Sequence, residues 1–343
     1  MTSNSAAGPP LIGPYEVFGR LHDGREAAIW AATFRGPGGF ARSVAIKCLK
    51  PGPAARGDMR RSFLYEAALG GTIDHPGVTQ VLDVGVWDGR PFFVTELVRG
   101  WPLRSVIATA ELTRTLLPLD AVLHIAHAAA ESLHYLHELR GPGGRPLGMI
   151  HRAIDDTNLL VARAGFVKLI DFGLAVPSAS EQPMPLRSRE ATDFTAPELV
   201  GRRPIDRRAD VFGLGVLIEN LARQVGGGCP DDLRAVIDRA AAPKPRDRFS
   251  SARDLQRSIE AVAMARDLWL STANTRRYLE QLFAPAPRAR ASSLPGLDDV
   301  RRIAPRVPVP NGGRTRVRVT RGTSHASGMR SMPVRRRRLS TGC

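Results

Sequence analysis

Cysteine is nearly missing from this chain of 343 residues: Cys48, Cys229 and Cys343 are the only three. They are too few and too widely scattered for a disulfide framework or a four-ligand zinc site, and this usage points to a reducing compartment, the cytosol. Lysine is equally scarce. Lys47, Lys50, Lys168 and Lys244 are the only lysines among 49 basic residues, so nearly all positive charge is arginine. No apolar run reaches the roughly eighteen residues that a membrane-spanning helix needs. Residues Met1 to Pro14 are polar and rich in Pro and Gly, without the apolar centre of a signal peptide. They read as a disordered N-terminus.

The charge that is present is unevenly spread. Of the formal net charge of +16, the segment from Ala284 to Cys343 carries +12, from fourteen Arg against two Asp. That segment is also rich in Pro, Gly and Ser and holds no aromatic residue, a composition that cannot bury a core and reads as a disordered basic tail. Its end, Arg335-Arg336-Arg337-Arg338, suits nucleic acid, an anionic surface or an acidic partner; a merely solvated tail explains it as well.

The remaining length suffices for one two-lobed domain with a sizeable core. Its motifs run in a fixed order. Val44-Ala45-Ile46-Lys47 has the β-branched character of a buried strand. Phe63-Leu64-Tyr65-Glu66 follows, then His75-Pro76-Gly77-Val78. Leu119 to Leu139 carries apolar residues at helical spacing (Val122, Ile125, Ala126, Ala129, Leu133, Leu136). His124, His127, His134 and His137 recur along it, but without Cys or matched carboxylates they read as structural rather than metal-binding. Then come His151-Arg152-Ala153-Ile154-Asp155-Asp156-Thr157-Asn158, an apolar strand-like run from Phe166 to Ile170, Asp171-Phe172-Gly173, Ala196-Pro197-Glu198, Asp210-Val211-Phe212-Gly213-Leu214-Gly215 and Arg246-Asp247-Arg248-Phe249.

In this order and spacing, from about Tyr15 to Ala263, the chain resembles the bacterial eukaryotic-like (Hanks-type) serine/threonine protein kinases. The resemblance implies an α+β bilobal fold: an N-lobe over residues 15–99 with an antiparallel sheet and one long helix, and a mainly helical C-lobe over 100–263. Residues 264–283 then read as a helical extension and 284–343 as the tail. It also implies roles. Lys47 and Glu66 would form the ion pair that positions nucleotide phosphates, and Asn158 with Asp171 would hold Mg²⁺. Gly24, Ile29, Ala45, Glu96 and Leu97 would line the ATP site, with Thr95 beside the adenine. Glu198 would be anchored by Arg248.

Three positions depart from the family. Where relatives carry the catalytic-loop Asp that accepts the substrate hydroxyl proton, this chain has Ala153, and a methyl group can neither accept a proton nor orient a hydroxyl. Asp155 stands where Ser/Thr kinases place a Lys toward the γ-phosphate. Ala191 replaces the Thr that ties the substrate loop to the missing Asp. The glycine loop is also reduced: His22-Asp23-Gly24-Arg25-Glu26-Ala27 keeps only Gly24, and its acids repel a triphosphate.

These features imply an ATP-binding pseudokinase that acts as a switch or scaffold for a protein partner. A weakly active serine/threonine kinase remains open, because general-base catalysis contributes only about 10²–10⁴-fold and Asp155 or Asp156 could stand in. A binding module working through the basic tail is the third alternative. Ser178, Ser180, Ser188 and Thr192 lie where relatives are often phosphorylated, with Arg152 available to clamp a phosphate.

Overall fold

The computed structural model describes residues 10–52, 57–173, 175–177, 192–200 and 205–284. Ala191, the three serines before it and the basic tail lie outside these residues.

The first half folds around a six-stranded antiparallel sheet of order β1-β2-β3-β4-β6-β5. Its strands are β1 (Leu11–Ile12), β2 (Tyr15–Asp23), β3 (Ala27–Arg35), β4 (Ala41–Leu49), β5 (Val81–Trp87) and β6 (Arg90–Glu96). Alternation along β4 explains its two faces: Val44, Ile46 and Cys48 are buried in one small core, while Ala45 and Lys47 point to the other side. Helix α1 (Asp58–Gly70) crosses that other side, and its Phe63 packs on Phe93 of β6 with ring centroids 4.9 Å apart.

The expected irregular N-terminus ends earlier than residue 14. Leu11 and Ile12 pair with Glu16 and Tyr15, because Ile12 is an apolar residue that the sheet buries to 3 % exposure. The Pro and Gly around it form the turn into β2.

The second half is helical and centred on α3 (Leu119–His137), whose six periodic apolar positions are all at most 2 % exposed. Around it stand α2 (Leu103–Thr113), α4 (Pro197–Val200), α5 (Arg208–Ala222), α6 (Asp231–Ala240), α7 (Ala252–Met264) and α8 (Thr272–Leu282). The helical half also carries two small antiparallel sheets, with Met149, Leu159, Val161, Val167 and Leu169 buried in its core: β7 (Gly100–Pro102), β9 (Leu159–Ala162) and β10 (Val167–Leu169) in order β10-β9-β7, and β8 (Met149–Ile150) with β11 (Val176–Pro177). The chain passes from the large sheet to β7 through Leu97–Arg99. This is the bilobal protein-kinase fold. No helix among the described residues is long and apolar enough to cross a membrane.

The histidines of α3 are part of the packing. His124 Nδ1 meets Thr275 Oγ1 at 2.9 Å, His127 meets Glu260 at 2.8 Å, and His137 meets Asp210 at 2.9 Å.

Candidate active site

Strand register fixes which side chains share the face toward the second lobe. Ile29 is opposite Lys47, Lys47 is opposite Phe93, and Ala45 is opposite Thr95. Cross-strand partners project to one side, so Ile29, Ala45, Lys47, Phe93 and Thr95 form a single surface. Lys47 donates from that surface to Glu66 of α1 at 2.7 Å and to Asp171 at 2.9 Å. One ammonium thus ties the sheet, the helix and the opposite lobe.

The electrostatics of the triad follow from burial and mutual charge. Burial works against the Lys47 ammonium, but Asp171 and Glu66 outweigh it and hold its pKa above the ordinary lysine value. Burial opposes ionisation of Asp171 too, yet Lys47 and the Gly173 N–H keep its carboxyl well below the usual range. Glu66, at 5 % exposure, is pushed by burial up to about 7, with Lys47 only partly offsetting the cost.

The turn joining β2 and β3 carries Gly24, where an added Cβ would lie 3.0 Å from the Ala27 carbonyl oxygen. The acid beside it is not free: Asp23 pairs with Lys50 at 2.6 Å and Arg20 at 2.7 Å. Glu26 pairs with Arg25 at 3.3 Å, and its carbonyl accepts the Lys50 N–H. Repulsion expected from Asp23 is therefore offset by cations the sequence did not obviously assign to it. At the other end of the surface, Leu97 is half-buried, and the Glu96 carboxylate pairs with Lys168 of β10 at 2.5 Å. The motifs assign Lys168 no role; its place three residues before Asp171 is the only signal of one in the sequence.

The loop from His151 to Asn158 is held from beneath by a buried acid of α5. Asp210 accepts the backbone N–H of His151 at 2.8 Å and of Arg152 at 2.7 Å, and contacts His137. These bonds hold Arg152 at φ 66°, a left-handed conformation that a side chain bearing a Cβ rarely adopts. Asp171 is left-handed as well, at φ 65°. Ala153 follows Arg152 and presents only a methyl group, while its carbonyl accepts the Asn158 side-chain amide at 2.9 Å.

The two acids of this loop, Asp155 and Asp156, are both engaged. Asp155 Oδ1 accepts the Thr157 N–H at 2.8 Å, the Thr157 hydroxyl at 2.6 Å and the Asn158 N–H at 2.9 Å. Asp156 pairs with Arg104 of α2 at 3.0 Å, and burial raises its pKa. Further along, Thr192 and Thr195 close a small turn, the Thr195 hydroxyl accepting the Thr192 N–H at 2.8 Å. Arg248 donates to both oxygens of Glu198 at 2.6 and 2.9 Å.

The fold and this arrangement define a protein-kinase domain. Residues 39–283 match the protein kinase domain family, so the chain belongs to it. It is 31 % identical over 294 residues to the tyrosine-protein kinase MasK of Myxococcus xanthus, covering 76 % of this chain and 44 % of that protein. Identity to the serine/threonine-protein kinase PknI of Mycobacterium tuberculosis is 28 % over 250 residues, covering 66 % of this chain and 38 % of PknI. The crystal structure of the PknI kinase domain superposes with a TM-score of 0.55 at 25 % identity, over 75 % of this chain and 99 % of that domain. The chain thus spans less than half the length of these two curated relatives.

Proposed function

We propose that this chain is an ATP-binding pseudokinase, a switch or scaffold that has kept the nucleotide half of a kinase site and lost its base. The observation that carries the reading is the Lys47–Glu66–Asp171 triangle standing intact beside Ala153. The donor set suits a magnesium nucleotide: an ionised Asp171 carboxylate that is 40 % exposed, the Asn158 amide, and an ammonium already placed between two acids. In this reading Lys47 binds the α/β-phosphates, Asp171 and Asn158 hold Mg²⁺, and Ile29, Ala45, Glu96 and Leu97 frame the base. The metal would supply charge neutralisation for the phosphates. Gly24 lets the hairpin backbone approach them, and the ion-paired Asp23 does not exclude them.

Phosphoryl transfer is the weaker reading because both substitute acids have other partners. The relatives carry tyrosine-kinase and serine/threonine-kinase names, and either class would make the partner a protein.

The test is incorporation of labelled γ-phosphate from Mg²⁺-ATP into the chain itself and a generic basic substrate, by wild type, Lys47→Met and Ala153→Asp. The expected result is no transfer by wild type and recovery in Ala153→Asp. Transfer by wild type that disappears in Lys47→Met would overturn the pseudokinase reading.

A further inference from the structure

Helix α8 is attached to the sheet that links the two halves of the candidate site. Its N-terminus is capped by Ser271, whose hydroxyl accepts the Asn274 N–H at 3.2 Å. Thr275, Tyr278, Leu279 and Leu282 are all at most 6 % exposed and lie against the second lobe. Thr275 is bonded to His124, and the Asn274 amide donates to Asp120 at 2.8 Å.

Two contacts reach beyond α3. At the C-terminal end, Phe283 stacks on Trp101 of β7 with centroids 4.0 Å apart and planes at 4°, and Arg163 lies over the same indole at 5.2 Å. At the N-terminal end, the β9–β10 turn approaches so closely that a Cβ on Gly165 would lie 1.9 Å from the Thr272 carbonyl oxygen. The β10-β9-β7 sheet is itself tightly joined, since a Cβ on Gly100 would lie 2.2 Å from the Val161 carbonyl oxygen. One edge of this sheet receives the linker carrying Glu96 and Leu97, and the other runs into Asp171.

We propose that α8 is a latch on this sheet: the stack of Phe283 on Trp101 holds the linker from Thr95 to Pro102 and thereby sets how tightly the cleft takes nucleotide. The nucleotide part rests on the function proposed above; the mechanical part does not. Aromatic stacking contributes little energy alone, so its effect is on the segment it fixes rather than on global stability.

The experiment uses the full chain with Phe283→Ala and, as the conservative variant, Phe283→Tyr. Two quantities are read: amide exchange of residues 95–102 without nucleotide, and affinity for a fluorescent ATP analogue with Mg²⁺. Phe283→Ala should speed exchange in the linker and weaken analogue binding about 5–10-fold, the low end of ordinary site-to-site coupling. Phe283→Tyr should restore both. Faster exchange confined to α8, with linker exchange and affinity within about twofold of wild type, would overturn the latch and leave Phe283 a packing residue. If wild type binds no analogue, the nucleotide reading fails instead, and linker exchange alone decides the latch.

Discussion

The Asp155 carboxylate accepts the Asn158 backbone N–H at 2.9 Å, which makes this acid a strut of the loop. One of its oxygens also takes both donors of Thr157. Asp155→Ala strands these donors and should cost about 1–3 kcal/mol, together with weaker Mg²⁺-nucleotide binding as Asn158 loses its support. Asp155→Asn keeps the oxygen acceptor and should stay close to wild type in thermal denaturation. The same variant separates two roles: any residual phosphate transfer lost in Asp155→Asn at unchanged stability would identify a base rather than a strut.

The Arg248–Glu198 pair offers a second test, away from the nucleotide. The guanidinium also donates to the carbonyls of Ala242, Arg208 and Pro243, and the two side chains are 0 % and 4 % exposed. Arg248→Ala leaves Glu198 charged in a dry site and three carbonyls without this donor. We expect a loss of about 3–5 kcal/mol in urea unfolding. Arg248→Lys should recover only part of it, because an ammonium cannot reproduce the two-pronged contact.

Glu66 gives a pH dependence. Its folded pKa, near 7, lies above the ordinary value of 4.5 because burial disfavours the charged form. Between these values the folded chain binds more protons than the unfolded one, so this group's contribution to stability falls as pH rises through that window. Against Glu66→Gln, wild type should lose about 1–3 kcal/mol of relative stability as pH rises from 4.5 through 7, the loss levelling off about one pH unit above the folded value. A difference that stays flat across the window would show that Lys47 keeps Glu66 ionised throughout.

Motif order made the fold and the Lys47–Glu66 contact legible, because each motif is local and its spacing is set by the elements between. The same holds for Arg248 and Glu198, read fifty positions apart and found bonded. What stayed hidden depends on long-range packing or on turn chemistry. Lys168 reaches Glu96 only once β10 and β6 are brought together. Asp155 reads as a charge reversal when only its charge is compared with a Lys; its strut role comes from the Asx-type turn, in which its carboxylate accepts the N–H groups of Thr157 and Asn158. The Phe283–Trp101 stack joins aromatics with no periodic relation. Ile12 was obscured by Pro and Gly around a very short strand.

Gly165 distinguishes backbone strain from a clash. Its φ of 93° disfavours any side chain, but so does the φ of 86° at Gly227, where an added Cβ would meet nothing within 4 Å. Gly227→Ala should therefore cost only about 1–2 kcal/mol, the penalty of a left-handed backbone. Gly165→Ala carries that penalty and also drives its Cβ to 1.9 Å from the Thr272 carbonyl, a backbone atom that cannot rotate away. Either the β9–β10 turn or the start of α8 must shift, for a total of about 3–5 kcal/mol. Chemical denaturation measures the difference between the two variants. Amide exchange locates the shift: it should rise over residues 272–282 in Gly165→Ala and remain at wild-type levels there in Gly227→Ala. Equal costs would mean that the turn relaxes freely and that α8 is not seated against it.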